Sequence, residues 1–144
     1  MSTIFHNRLF WFIATPLIIL GLVVANLPGI LNALGLHRPY PGRSFDLSGK
    51  RALIIATNHD TLGDTGKPTG VYASEMTVPY YQFLDANLQV EIASIEGGEI
   101  PVEPMSLRWP LLTPEDKRFL ADGEFQGKVK NSLKIADLDF SQYD

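Results

Sequence analysis

The sequence predicts an α/β protein, a parallel-sheet domain set behind one membrane-spanning helix. Three observations carry this expectation. Residues 9–36 contain no charged side chain. RALIIAT (51–57) is an unbroken run of small and β-branched apolar residues, the pattern of a strand buried on both faces in a parallel sheet. LQVEIASI (88–95) alternates apolar and polar residues before Gly97-Gly98, and a segment with helical spacing separates the two strands.

The chain has 144 residues and a formal net charge of −4, which sets one domain as the ceiling. Its basic residues are scattered rather than striped, so nucleic acid is not an expected partner. With no cysteine, it contains no disulfide, thiolate metal site or cysteine nucleophile of its own. The three histidines, His6, His37 and His59, lie far apart in sequence, so neither a metal nor another cofactor is expected.

Residues 1–8 read as a short tail. LFWFIATPLIILGLVVANL (9–27) follows. At 1.5 Å per residue it reaches roughly 28 Å as a helix, close to the ~30 Å hydrocarbon core of a bilayer. Pro16 lies inside the run and is tolerated better in a membrane helix than in water. Trp11 and Tyr40 stand where an aromatic belt would place them. Asn26, Pro28 and Gly29 mark the helix exit, and ILNALGL (30–36) reads as an interfacial amphipathic turn. A cleaved signal peptide is the competing reading, with Arg8 as its basic region and Val23-Val24-Ala25 before the cut, although the run is long for that purpose. A buried core helix is the third. Arg38, Arg43, Lys50 and Arg51 outnumber Arg8 and the amino terminus, so positive-inside counting leans toward a single-pass protein with a cytoplasmic domain.

HRPYPGRSFDLSGK (37–50), rich in Pro and Gly, is a linker, and the domain occupies 51–144. The loop NHDTLGDTGKPTG (58–70) joins the first strand to VYASEMTVPYYQFLDAN (71–87). There Val71, Met76, Tyr80, Phe83 and Leu84 recur at helical spacing, and Pro79 is expected to kink or split the helix. Strand, helix and strand make one right-handed βαβ unit. EIPVEPMSLRWPLL (99–112) is irregular, with room for one short strand. Thr113 then reads as an N-cap, with Pro114 at N1 and Asp116 at N3. A second short helix is expected over about 124–132, and LKIADLDFSQYD leads toward a further strand. A two-stranded parallel sheet leaves faces and edges bare, so this organisation asks for more strands than these residues supply.

The loop GDTGKPTG (63–70) does not fit a phosphate loop: Thr61 and Pro68 stand where the pattern needs Gly and Ser or Thr. It does lie at the carboxyl end of a strand, where open α/β sheets bind ligands. His59 and Asp60 could serve as a base and its orienter, but neighbours in sequence point apart and both also read as solvated. Glu75 near the helix start reads as an acid favoured by the helix dipole. Glu91, Glu96, Glu99 and Glu103 read as solvated rather than as a catalytic pair.

Thr57-Asn58-His59-Asp60, Thr69-Gly70, Glu75, Pro79-Tyr80, ASIEGGEIPVEP (93–104) and NSLKIADLDFSQYD (131–144) together resemble DJ-1/PfpI superfamily proteins. They are most similar to the Hsp31-like branch, often labelled type 1 glutamine amidotransferase-like. The resemblance implies a flavodoxin-like three-layer sandwich, incomplete here. It implies a cysteine nucleophile on a strand-to-helix elbow beyond Asp144, with Glu75 as its acid partner and His59, Asp60 and Gly70 around the substrate pocket. It implies glyoxalase, deglycase or amidase chemistry on small carbonyl or amide substrates. Without the nucleophile the chain reads as a membrane-anchored N-terminal fragment, the product of a truncated or interrupted frame and silent by itself. The alternative is a non-enzymatic, membrane-tethered binding or chaperone-like module. The expected partners are the lipid bilayer and a second chain, in a homodimer or paired through the open sheet edge.

Overall fold

The computed structural model describes residues 2–35, 42 and 44–144. Residues 37–41 and 43 of the linker, among them His37, Arg38, Tyr40 and Arg43, lie outside the described residues. The chain divides into two units, Met1–Tyr40 and Pro41–Asp144.

The first unit holds α1 (Ser2–Ala25) and α2 (Leu27–Ala33). The helix begins at Ser2, so the residues read as a tail belong to it. Pro16 lies inside α1 without ending it, whereas the break comes at Asn26. Pro28 cannot donate to the Val24 carbonyl, and the Asn26 side chain instead bonds the Leu22 carbonyl at 2.8 Å. Among the described residues no single helix is long and apolar enough to cross a membrane. Phe10–Ala25 and Leu27–Ala33 meet that condition together and are bent by 63°. A signal sequence or a buried helix would meet it as well. The interfacial turn read at 30–36 is helical as far as Ala33.

The second unit is the α/β part. β1 (Arg51–Ala56) pairs in parallel with β2 (Gln89–Ser94), with Arg51 opposite Gln89 and Ala56 opposite Ser94. A third strand, β3 (Leu133–Lys134), pairs in parallel with β2, giving the order β1-β2-β3. The sheet thus already has its third strand inside the segment expected only to lead toward one. Between β1 and β2 runs α3 (Ala73–Asp85). It is one helix with Pro79 inside it, so of the two alternatives, a kink or a split, the split does not occur. The proline leaves the Glu75 carbonyl without its i+4 partner. Buried positions on α3 include Met76, Tyr80 and Tyr81, while Leu84 is exposed and Val71 precedes the helix.

α4 (Pro114–Ala121) starts at the anticipated capping box: Thr113 Oγ1 accepts from the Asp116 amide at 3.1 Å, and Asp116 Oδ2 accepts from the Thr113 amide at 2.9 Å. α5 (Gly123–Lys130) is capped by Asp122, whose Oδ1 accepts from Phe125 N at 3.0 Å. Residues 99–112 form no strand, only a single parallel bridge between Val71 and Val102.

The core lies on one face of the sheet. Ala52, Val90 and Ile92 meet Met76, Tyr80, Tyr81, Ile100, Phe119, Phe125 and Val129 there. Phe125 stacks on Tyr80 and meets Tyr81 and Phe119 edge-on. Such aromatic contacts each add about 0.5–1.5 kcal/mol beyond area burial. Burial, followed by its hydrogen bond to Asp122 (3.0 Å), holds the Tyr81 hydroxyl well above the usual phenol range. The other sheet face carries Arg51, Leu53 and Ile55, and Ile55 is 51% exposed.

Candidate active site

The carboxyl ends of β1 and β2 set the candidate site. β1 ends at Ala56, and Asn58 just beyond it ties two loops together. Its Nδ2 donates to the Gly97 and Glu99 carbonyls, both at 3.2 Å, and its Oδ1 accepts from the Glu96 amide at 2.8 Å. The Gly97-Gly98 turn can take this path because both residues have positive φ, +73° and +74°. Ser132, just before β3, closes the turn, exchanging backbone hydrogen bonds with Gly98 at 2.9 Å in each direction.

The 58–70 loop is a small closed hairpin rather than an open tether. Leu62 N donates to Lys67 O (2.9 Å), Thr69 N donates to Asp60 O (2.8 Å), and Thr61 bridges Pro68. His59 and Asp60 are exposed. Asp60 Oδ1 accepts from Thr61 Oγ1 at 2.8 Å, not from His59, so the two do not form the base–orienter pair considered above. Gly70 is where the loop meets the 100–103 segment. A Cβ on it would lie 2.1 Å from the Pro101 carbonyl oxygen, and the neighbouring Val71 amide bonds that same oxygen at 2.9 Å.

Glu75 occupies N3 in the first turn of α3 and is exposed. Among the described residues its carboxylate accepts no hydrogen bond. The other glutamates divide. Glu103 is held by Thr69 Oγ1 (2.9 Å) and the Met105 amide (3.1 Å). Glu91 pairs with Arg51 at 3.1 Å and accepts from the Tyr143 hydroxyl. Glu96 and Glu99 are exposed. Sequence reasoning missed Ser106, whose Oγ accepts from the Ala73 amide at 3.0 Å at the start of α3. Nothing in the irregular 99–112 stretch marks that serine, because the contact joins residues 33 apart.

Open α/β sheets bind ligands outside the carboxyl ends of their strands, and here that end leads into the 58–70 loop and the start of α3 with Glu75. Solved structures similar to this chain include a Francisella and a Candida protein. Rapid Encystment Protein 24 kDa from Francisella tularensis is 38% identical with a TM-score of 0.60. Glyoxalase III from Candida albicans is 30% identical with a TM-score of 0.54. Each match covers 66% of this chain and 41% of the other, so the chain spans about two fifths of the length of the structures it matches. No family model and no curated protein matches. Over about two thirds of its length the chain is a structural relative of the DJ-1/PfpI proteins of the Hsp31-like kind, and it carries no cysteine.

Proposed function

We propose that residues 51–144 form the acid-bearing part of a DJ-1/PfpI-like site for small carbonyl or amide substrates, with Glu75 as the acid partner of a cysteine thiol. The observation that supports this most is a free carboxylate, Glu75, at the helix start behind β1, in a chain whose match to the Francisella protein is 38% identical over 66% of its length. A carboxyl group beside a thiol holds and tunes a nucleophile but does not replace one. These 144 residues contain no such thiol, so the reading assigns them no turnover alone. The 58–70 hairpin, with His59 and Asp60 at its base, would rim the pocket. In the same reading the bent apolar pair tethers the domain to a bilayer, with the domain on the cytoplasmic side. The support is its length and its composition from Phe10 to Ala33.

The test uses methylglyoxal. The purified full chain should show no turnover. Co-expressed with the part of the Francisella relative that the match leaves uncovered, it should gain turnover that Glu75→Gln removes. Turnover by the chain alone overturns the assignment, and so does full activity of the Glu75→Gln complex. A second reading, a tethered binding or chaperone-like module, is favoured by the open outer edge of β1 with Ile55 exposed beside it. Suppression of a client protein's aggregation by the chain, lost on blocking that edge, would support it.

A further inference from the structure

Between Phe10 and Ala25, α1 carries apolar side chains on every side. Leu17, Ile18, Ile19 and Leu20 follow one another at about 100° per residue, so together they face round the whole helix, and each is 54–62% exposed. A helix on the surface of a core keeps a polar face, and one that is apolar all round belongs inside a large core or inside a bilayer. Among the described residues no core encloses these side chains.

The bend that follows differs in kind. Pro28 brings no N–H to the Val24 carbonyl. The Leu22 carbonyl accepts from both the amide and the side-chain Nδ2 of Asn26, at 3.1 and 2.8 Å, and Asn26 is exposed. A carbonyl without its helical donor and a side-chain amide are both costly in hydrocarbon, and both are satisfied where water reaches. The lengths agree with that placement. Phe10–Ala25 is roughly 24 Å long at 1.5 Å per residue. α2 is roughly 10 Å long, and its 63° inclination leaves it only about 5 Å of travel along the α1 axis. Together they reach ~30 Å, the thickness of a hydrocarbon core, whereas a straight pair would overshoot it by about 5 Å.

We infer that α1 crosses the hydrocarbon core of a bilayer and that α2 lies at a shallow angle along the boundary of that core, with Leu27, Ile30, Leu31 and Leu34 among the acyl chains just below the headgroups. Asn26 and Pro28 are the device that turns it. The inference rests on the tether reading and adds to it a depth and a tilt. Along α2 each residue gains about 0.7 Å of depth, against about 1.5 Å in a straight span.

The full chain has no cysteine, so Leu17→Cys, Leu27→Cys and Leu34→Cys each carry a single thiol. Each variant is labelled with an environment-sensitive fluorophore, reconstituted in phosphatidylcholine vesicles, and quenched by lipids spin-labelled at stepped depths. Leu27 and Leu34 are seven residues apart and so share one side of α2, which makes their depth difference a reading of tilt. The probe at 17 should be deep, and those at 27 and 34 shallow and within about 5 Å of each other. Asn26→Ala with Pro28→Ala should widen that gap toward about 10 Å. A gap of about 10 Å without those two changes overturns the inference while leaving the tether intact, and so does a gap that the double substitution leaves unaltered. If a membrane-impermeant maleimide reaches the unlabelled Leu17→Cys thiol, the tether reading itself fails, and the inference with it. A chain whose mass shows cleavage after Ala25 has the same consequence, since the apolar run is then a leader.

Discussion

At the residue scale, two positions carry consequences out of proportion to their size. Gly70 has no side chain because the Pro101 carbonyl occupies the place of its Cβ, at 2.1 Å. The colliding atoms are backbone, so no rotamer change relieves the clash. Gly70→Ala should cost about 1–3 kcal/mol, toward the upper end, and should lower the melting temperature by several degrees. A neutral result would show that the 58–70 hairpin and the 100–103 segment separate easily. Asp116 spends both carboxylate oxygens, one on the Thr113 amide and one on the Thr77 hydroxyl, with no solvent exposure. Its removal takes away a cap and strands a buried hydroxyl. Asp116→Ala should therefore cost about 2–4 kcal/mol. Asp116→Asn should fall between it and wild type in denaturant midpoint, since the amide retains one acceptor.

At the element scale, α3 is held by packing in spite of its own sequence. Pro79 removes the hydrogen bond to the Glu75 carbonyl, yet the helix runs unbroken from Ala73 to Asp85 because Met76, Tyr80 and Tyr81 lock it into the core. Pro79→Ala should therefore stabilise the domain, by up to ~3 kcal/mol. That gain is read as a higher melting temperature, and a drop would mean the proline shapes the helix for packing. This is also where legibility from sequence divides. The βαβ unit and the start of α4 are readable because RALIIAT, LQVEIASI and the Thr113-Pro114-Asp116 cap are local signals. The unbroken α3 was not, because propensity at Pro79 is local while the burial that outweighs it comes from Phe119, Phe125 and Val129, some forty to fifty residues away. β3 was missed for the same reason: two residues, Leu133 and Lys134, have no period of their own and become a strand only against Ala93 and Ser94. At the site, Glu75 was assigned from resemblance and Gly70 as a pocket residue. The contact with Pro101 that explains Gly70, and the Ser106 cap beside Glu75, are long-range and silent in the residue pattern.

At the scale of the whole molecule, the outer edge of β1 decides how the α/β unit behaves in solution. The Gln89 amide bonds the Lys50 carbonyl at 3.0 Å, so alternate β1 residues face β2, and Arg51, Leu53 and Ile55 turn their backbone groups outward. The Arg51 end is closed by Asp144, which donates its amide to the Arg51 carbonyl at 3.0 Å and accepts from the Arg51 amide and Lys50 Nζ, both at 2.9 Å. The backbone bond from Arg51 first, then Lys50, pulls the Asp144 carboxyl below its ordinary 3.8. A depressed folded value means this clasp contributes above about pH 3.8 and is lost as pH falls through the lower folded value. Acidification through that window should open the edge at Arg51, read as faster exchange of the Arg51 amide. Among the described residues Leu53 and Ile55 have no such clasp, and an apolar open edge is a template for pairing with other chains. A lysine at position 55 keeps the backbone but places a charge on the exposed face, the device natural edge strands use. Ile55→Lys should slow aggregation of the full chain in detergent micelles several-fold, with a stability change of no more than about 0.5 kcal/mol, because the side chain it replaces is half exposed. Leu120→Lys, on the exposed side of α4, is the control and should leave the rate unchanged. If both substitutions slow aggregation equally, general surface hydrophobicity rather than the β1 edge drives association. If neither does, the edge is covered in solution by something other than another copy of the strand.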